Sequence, residues 1–296
     1  MDILRENDKK LKSAYDFCTQ ITKTEARNFY YAFITLPKTK KRAIYTAYAF
    51  CRRCDDAVDN DESVKEKIRL LNDLESSLTS GLNNDQIDLV NPIILATCAI
   101  IKEFQIPEQY FFDVIDGVRM DIDFKPFDTF VDVKKYCYKV ASVIGLICIK
   151  IFGYTDPKAV EFAIDFGLAM QLTNILRDIV EDMSEDRCYL AVTELNRYQY
   201  SIQDFSSALY NSNFKELMKF QVNRARHFFV SGSSLFPLID PDSRICLVIL
   251  SKIYNKILNK IENSNYNIFF SNYKLTRFEK LSIMGCTWLK YKITPN

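Results

Sequence analysis

The stretch TKKRAIYTAYAFCRRCDDAVD, residues 39–59, decides how this chain is read. Ala, Arg and Lys give it good helix propensity, Thr39 is a plausible cap, and no glycine or proline interrupts it. On a helix, Tyr48, Arg52, Asp55 and Asp59 are spaced four, three and four, so they line one side. Asp55, Asp56 and Asp59 crowd a five-residue window and repel one another. Such carboxylates need either open water or a cation between them.

A second window, QLTNILRDIVED at 171–182, repeats the pattern. Gln171, Asn174, Asp178 and Asp182 are spaced three, four and four, while Leu172, Ile175, Leu176 and Ile179 fall elsewhere and can pack. A single D-x-x-x-D is ordinarily a solvated helix face. Here the pair occurs twice, each time within apolar helix sequence and with further polar groups on the same stripe. A carboxylate drawn out of water needs a counter-charge. Hard divalent ions prefer oxygen ligands, and Mg²⁺ typically combines one or two carboxylates with substrate phosphates. Two facing acidic stripes therefore suggest a diphosphate held through Mg²⁺.

The remaining sequence supports an all-α chain. Its 296 residues are 48 % hydrophobic and 26 % charged, a globular balance with room for a sizeable core. A formal net charge of +1 provides no basic excess for a nucleic-acid backbone. Seven glycines and eight prolines are few and favour long helices. Helical spacing predicts elements over 28–37, 39–59, 63–78, 93–104, 108–119, 130–152, 157–183, 202–210, 213–230, 242–263 and 276–290, with a loop at 79–92. One all-α domain over 1–296 is expected. The longest apolar run, VASVIGLICI at 140–149, is too short to span a bilayer.

Nine cysteines at irregular spacing, and an N-terminus MDILRENDKK without an apolar signal core, suggest reduced thiols in cytoplasm. Peripheral membrane contact is compatible with this. Cys51-x-x-Cys54 has no second pair, and His227 is the only histidine, so two core cysteines are expected rather than zinc or redox chemistry.

FYYAFITLP (29–37), AIYTAYAFCRRCDDAVD (43–59), YCYKVASVIG (136–145) and QLTNILRDIVEDMSEDRCYL (171–190) resemble the squalene/phytoene synthases. The resemblance runs from about residue 15 to about residue 290 and is close to bacterial phytoene and presqualene diphosphate synthases. It implies a single-domain isoprenoid synthase-type helical bundle around a central cavity. It also implies a prenyltransferase that condenses two allylic prenyl diphosphates, farnesyl or geranylgeranyl, head to head (1′–1) through a cyclopropylcarbinyl diphosphate. Asp55, Asp59, Asn174, Asp178 and Asp182 are the implied Mg²⁺ ligands, and the four aspartates are also implied in catalysis. Tyr136 matches a tyrosine placed near the reacting carbons. Arg52, Arg187 and Tyr189 match substrate-binding positions, and Tyr48, Gln171, Phe29 and Phe33 are candidates for the same role. NADPH enters only if the product is squalene.

An allylic carbocation must be kept from water and stabilised by π faces. Phe29, Tyr30, Phe33, Tyr45, Tyr48, Phe50, Tyr136 and Tyr138 are the aromatic candidates, although core packing explains each of them singly. Ala141 and Gly145 allow either passage of a flat chain or close helix contact. Ala26, Arg27 and Asn28 depart from the family's hydroxyl pair, and Cys188 and Ala191 depart after the second acidic motif. Lys274 and Arg277 are expected on a solvated surface. Removing Asp55 or Asp178 is expected to abolish turnover with little loss of fold. Two other functions use the same framework: a non-catalytic respiratory-complex assembly factor, which would be expected to lose its acids, and a single-substrate terpene cyclase.

Overall fold

The computed structural model describes residues 2–26, 29–83, 91–269 and 273–293. Helices α1 (Asp2–Glu25), α2 (Tyr30–Phe33), α3 (Lys38–Asp56), α4 (Val64–Leu82), α5 (Pro92–Phe104) and α6 (Gln109–Arg119) form the first half. Then follow α7 (Phe130–Cys137), a π-helical turn Tyr138–Ser142, α8 (Val143–Phe152), α9 (Ala159–Ser184), α10 (Val192–Arg197), α11 (Ile202–Ser206), α12 (Ser212–Ser233), α13 (Pro241–Asn263) and α14 (Arg277–Ile293). Among the described residues the only extended pairing is one isolated bridge between Tyr154 and Ile239. The all-α expectation holds.

α9 is the axis of the bundle. It packs on α12, α8, α7, α13 and the π-helical turn. By length and composition it would also pass for a membrane span, but more than half of that stretch is buried inside the protein. α1 was not expected. It packs on α3 and α5, with Ala14, Tyr15, Cys18 and Thr22 buried and the Thr22 hydroxyl donating to the Tyr45 carbonyl at 3.0 Å.

Several boundaries differ from expectation for identifiable reasons. α3 begins at Lys38 behind Pro37, with no side-chain cap from Thr39. It ends at Asp56, but Asp59 N–H still donates to the Asp55 carbonyl at 2.8 Å, so both acids stay on one side. α2 is one short turn within the expected 28–37. α4 continues through Gly81 into the expected loop, and glycine there lets α4 and α5 close up, since a side chain would meet Cys98 Sγ at 2.5 Å. Residues 84–90 of that loop lie outside the described residues. The expected helix 130–152 is broken by the π-helical turn, a feature often associated with functional sites. All nine cysteines carry free thiols. Of the two cysteines expected in the core, Cys54 is fully buried there, whereas Cys51 is only partly buried against it.

Candidate active site

α3 and α9 present their acids to one space. A cavity of about 580 Å³, counting the space open to solvent, is lined by Asp55 and Asp59 from one side and by Gln171, Asn174, Asp178 and Asp182 from the other. Asp121, Tyr136, Arg187 and Tyr189 complete its wall. The two windows therefore face each other, as the repeated spacing suggested.

The electrostatics follow from the crowding. Burial, followed by the neighbouring Asp59 charge, pushes the Asp55 carboxyl up to about 7. Burial, followed by Asp178, pushes Asp182 up to about 8. Burial also raises Asp59, against the pull of Arg187. Among the described residues no three carboxylate, thiol or imidazole groups lie close enough to chelate one ion unaided. A cation held here would therefore complete its shell with ligand oxygens. The chemistry of the donors fits Mg²⁺. Opposed carboxylates that resist ionising together are joined by the Oδ1 of Asn174, a buried oxygen with no hydrogen-bond partner.

Asp178 is not a bare ligand. Arg177 Nε donates to its Oδ1 at 2.8 Å, and Arg177 Nη2 donates to Oδ2. Arg52 lines neither cavity. It ion-pairs with Asp56 at 2.7 Å, and its Nε is buried without a partner. Tyr136 and Tyr189 stack at 5.0 Å, and both phenols donate to Asp121, at 3.1 and 2.9 Å. Burial pushes the Asp121 carboxyl up to about 6, against those two hydrogen bonds. Phe124 and Phe127 close around this trio.

Beyond Asp55, Gln171 and Asn174 the space continues as an apolar cavity of about 1140 Å³, counting the space open to solvent. Phe29, Phe33 and Tyr48 line it, as do Ala141 and Gly145, whereas Tyr45 and Phe50 sit in the core and Tyr30 packs against it. Both readings of Gly145 hold, because a side chain there would also meet the Ala163 carbonyl at 2.9 Å. On the outer side lies a charged basin of about 970 Å³, where Asp59, Asp178 and Asp182 meet Arg177, Arg187, Lys274 and Lys280. Lys274, expected on a solvated surface, reaches this basin and pairs with Glu181 at 2.7 Å. Arg277 remains exposed beside Tyr31. Arg27 and Asn28 lie outside the described residues.

The squalene/phytoene synthase family model matches residues 22–279, which carry every residue named in this site except Lys280. The chain belongs to the squalene/phytoene synthase family. It is therefore a prenyltransferase of the head-to-head class acting on prenyl diphosphates. It is 33 % identical to the 15-cis-phytoene synthase of Synechocystis sp., over 96 % of this chain and 87 % of the relative. It is also 33 % identical to a phytoene synthase of Mycobacterium tuberculosis, over 93 % and 90 %. A crystal structure of a dehydrosqualene synthase in complex with ligand superposes with a TM-score of 0.87 at 29 % identity, covering 97 % of this chain and all of that one.

Sequence reasoning missed three parts of this prenyltransferase. Asp121 follows α6 in an unremarkable MDID run and gains meaning only when two tyrosines converge on it. Arg177 is hidden among the apolar residues of α9. Lys280 is 9 % exposed and turned into the basin, although Phe278 and Leu281 close by in the helix face out.

Proposed function

We propose that this synthase joins two molecules of geranylgeranyl diphosphate 1′–1 into phytoene, with Mg²⁺ at the acidic cavity. One observation carries the reading: opposed carboxylate pairs and an unpartnered amide oxygen open directly onto a large apolar cavity at Asp55, Gln171 and Asn174. A ligand suited to both spaces has a diphosphate at one end and a hydrocarbon chain at the other. Asp55, Asp59, Asn174, Asp178 and Asp182 would hold Mg²⁺ jointly with diphosphate oxygens. When bound, Mg²⁺ would neutralise charge developing on the departing diphosphate.

The chain's own residues would do the rest. Arg177, Arg187, Lys274 and Lys280 line the basin and would grip phosphate oxygens. Heterolysis of one C1–O bond sends the electron pair to pyrophosphate and leaves an allylic cation. The C2–C3 π pair of the second substrate then closes on that cation, and proton loss to pyrophosphate completes the cyclopropylcarbinyl diphosphate. A second ionisation, rearrangement and proton loss would give phytoene, with no reductant needed. Phe29, Phe33 and Tyr48 offer π faces along the path, and the apolar walls exclude water. Tyr136 Oη, kept protonated by burial and by Asp121 and aimed by its hydrogen bond to Asp121, would shape the wall near the reacting carbons.

The phytoene synthases among the relatives support a C20 substrate. The dehydrosqualene synthase structure favours a second reading, the same chemistry on two farnesyl units. Incubation of the purified protein with labelled farnesyl or geranylgeranyl diphosphate, followed by product chromatography, separates them. A C40 hydrocarbon made only with Mg²⁺ and abolished by chelation is expected. Preferential C30 product overturns the chain-length assignment. Products holding one prenyl unit, or none at all, overturn head-to-head synthesis.

A further inference from the structure

α14 carries apolar residues on both sides. Its inner side packs Ile283, Met284 and Tyr291 against the core and adds polar ties: Glu279 pairs with Lys260 at 3.0 Å and with Lys256 at 3.5 Å, and Lys252 donates to the Thr287 hydroxyl at 2.9 Å. Its outer face is apolar. Phe278 is 83 % exposed, Leu289 54 % and Ile293 78 %, and Leu281 and Trp288 stand beside them. Their spacing of three, seven or eight, and four keeps them on one side of the helix. An exposed row of this kind is a contact surface rather than spare core.

We propose that this face of α14 docks the enzyme on an anionic lipid bilayer. Charge selects the occupant. Exposed Arg277 and Lys290 flank the row on its two sides, and the one acid of the segment 273–293, Glu279, is spent on the inner side. Apolar side chains flanked by cations, with a tryptophan on the face, are the composition of a helix lying in a headgroup interface. A second copy of this chain fits poorly. A two-fold contact would set the cationic segment against itself, and one helix face offers less area than a stable dimer buries. Position favours the bilayer too. α14 packs on α13 and α2, which supply Leu247, Leu250, Tyr254 and Phe33 to the apolar cavity. If the proposed reaction holds, its hydrocarbon product forms just behind the docked face.

Trp288 is the only tryptophan in the chain, so its fluorescence reports this helix alone. The full-length protein is mixed with vesicles of phosphatidylcholine alone, or of phosphatidylcholine with phosphatidylglycerol, some carrying brominated tails. Expected are co-sedimentation with the anionic vesicles, weakening as salt rises, and quenching of Trp288 by the brominated lipid. The double variant Phe278→Ser/Leu289→Ser should bind about tenfold more weakly or worse. It should keep its melting temperature and its turnover of detergent-dispersed substrate. An unquenched Trp288, equal binding by the double variant, or equal affinity for neutral vesicles overturns the proposal. So does a concentration-dependent dimer that the double variant abolishes. Vesicle binding is read without turnover, so it stands or falls separately from the proposed reaction.

Discussion

Asp178 and Arg177 hold each other by two hydrogen bonds in a mostly buried setting, and this separates Asp178 from its counterpart Asp55. Removing Asp178 strands a guanidinium, which costs about 3 kcal/mol when the setting is buried. Asp178→Ala should therefore lower the melting temperature as well as abolish turnover, contrary to the expectation from sequence. Asp55 is held by repulsion and burial, not by an ion pair, so Asp55→Asn should abolish turnover while raising the melting temperature of the metal-free protein at pH 8. Circular dichroism melts of both variants check this. Asp121→Asn keeps the size of the side chain but cannot accept both phenols equally. It should reduce kcat by roughly ten- to a hundredfold with little change in fold. Steady-state kinetics at saturating Mg²⁺ read the effect. The D-x-x-x-D acids were legible because spacing alone puts them on one face. Asp121 and Arg177 were not, because their roles depend on partners distant in sequence or on the direction a side chain takes.

Within α9, one helix carries both the polar and the apolar ends of the site. Phe166 lies twelve residues before Asp178, about 18 Å along the axis, and lines the far part of the apolar cavity. It is fixed edge-on against Phe229 at 5.8 Å and Phe236 at 5.6 Å. Phe166→Ala should deepen the cavity and shift product chromatography toward longer prenyl units. An unchanged product ratio would place the stop elsewhere. Gly167 next to it has no room for a side chain, because a Cβ would lie 2.7 Å from the Ser142 backbone in the π-helical turn. Gly167→Ala should cost about 1–3 kcal/mol in a thermal melt and disturb Tyr136 through that turn. The helical period located α3 and α9 well. The π-helical turn was invisible because an extra residue in one turn leaves the composition of a helix unchanged. α1 was readable from Ala14, Tyr15, Cys18 and Thr22 at helical spacing, but its charged outer faces masked the stripe.

At the scale of the whole molecule, the metal-free enzyme carries stored carboxylate repulsion. Asp55, Asp121 and Asp182 hold protons up to about 7, 6 and 8 in the fold, against 3.8 as the ordinary value. Between those limits the folded state binds more protons than the unfolded chain, so stability falls as pH rises from about 4 to about 8. The metal-free melting temperature should therefore drop across that range. Mg²⁺ with pyrophosphate should restore it, and more at pH 8 than at pH 6, because the ionised acids are the ligands. Scanning calorimetry at the two pH values would show the opposite ranking if these acids were not the ligands. Local order along the chain determined the helices, the two acidic stripes and the family, because period and spacing are properties of neighbouring residues. Only the tertiary structure decided that the stripes share one cavity, that an apolar space opens behind Asn174, and that α14 leaves a second apolar row exposed. Those facts depend on which faces of separate helices are buried against one another, and helical period identifies a face without naming its partner.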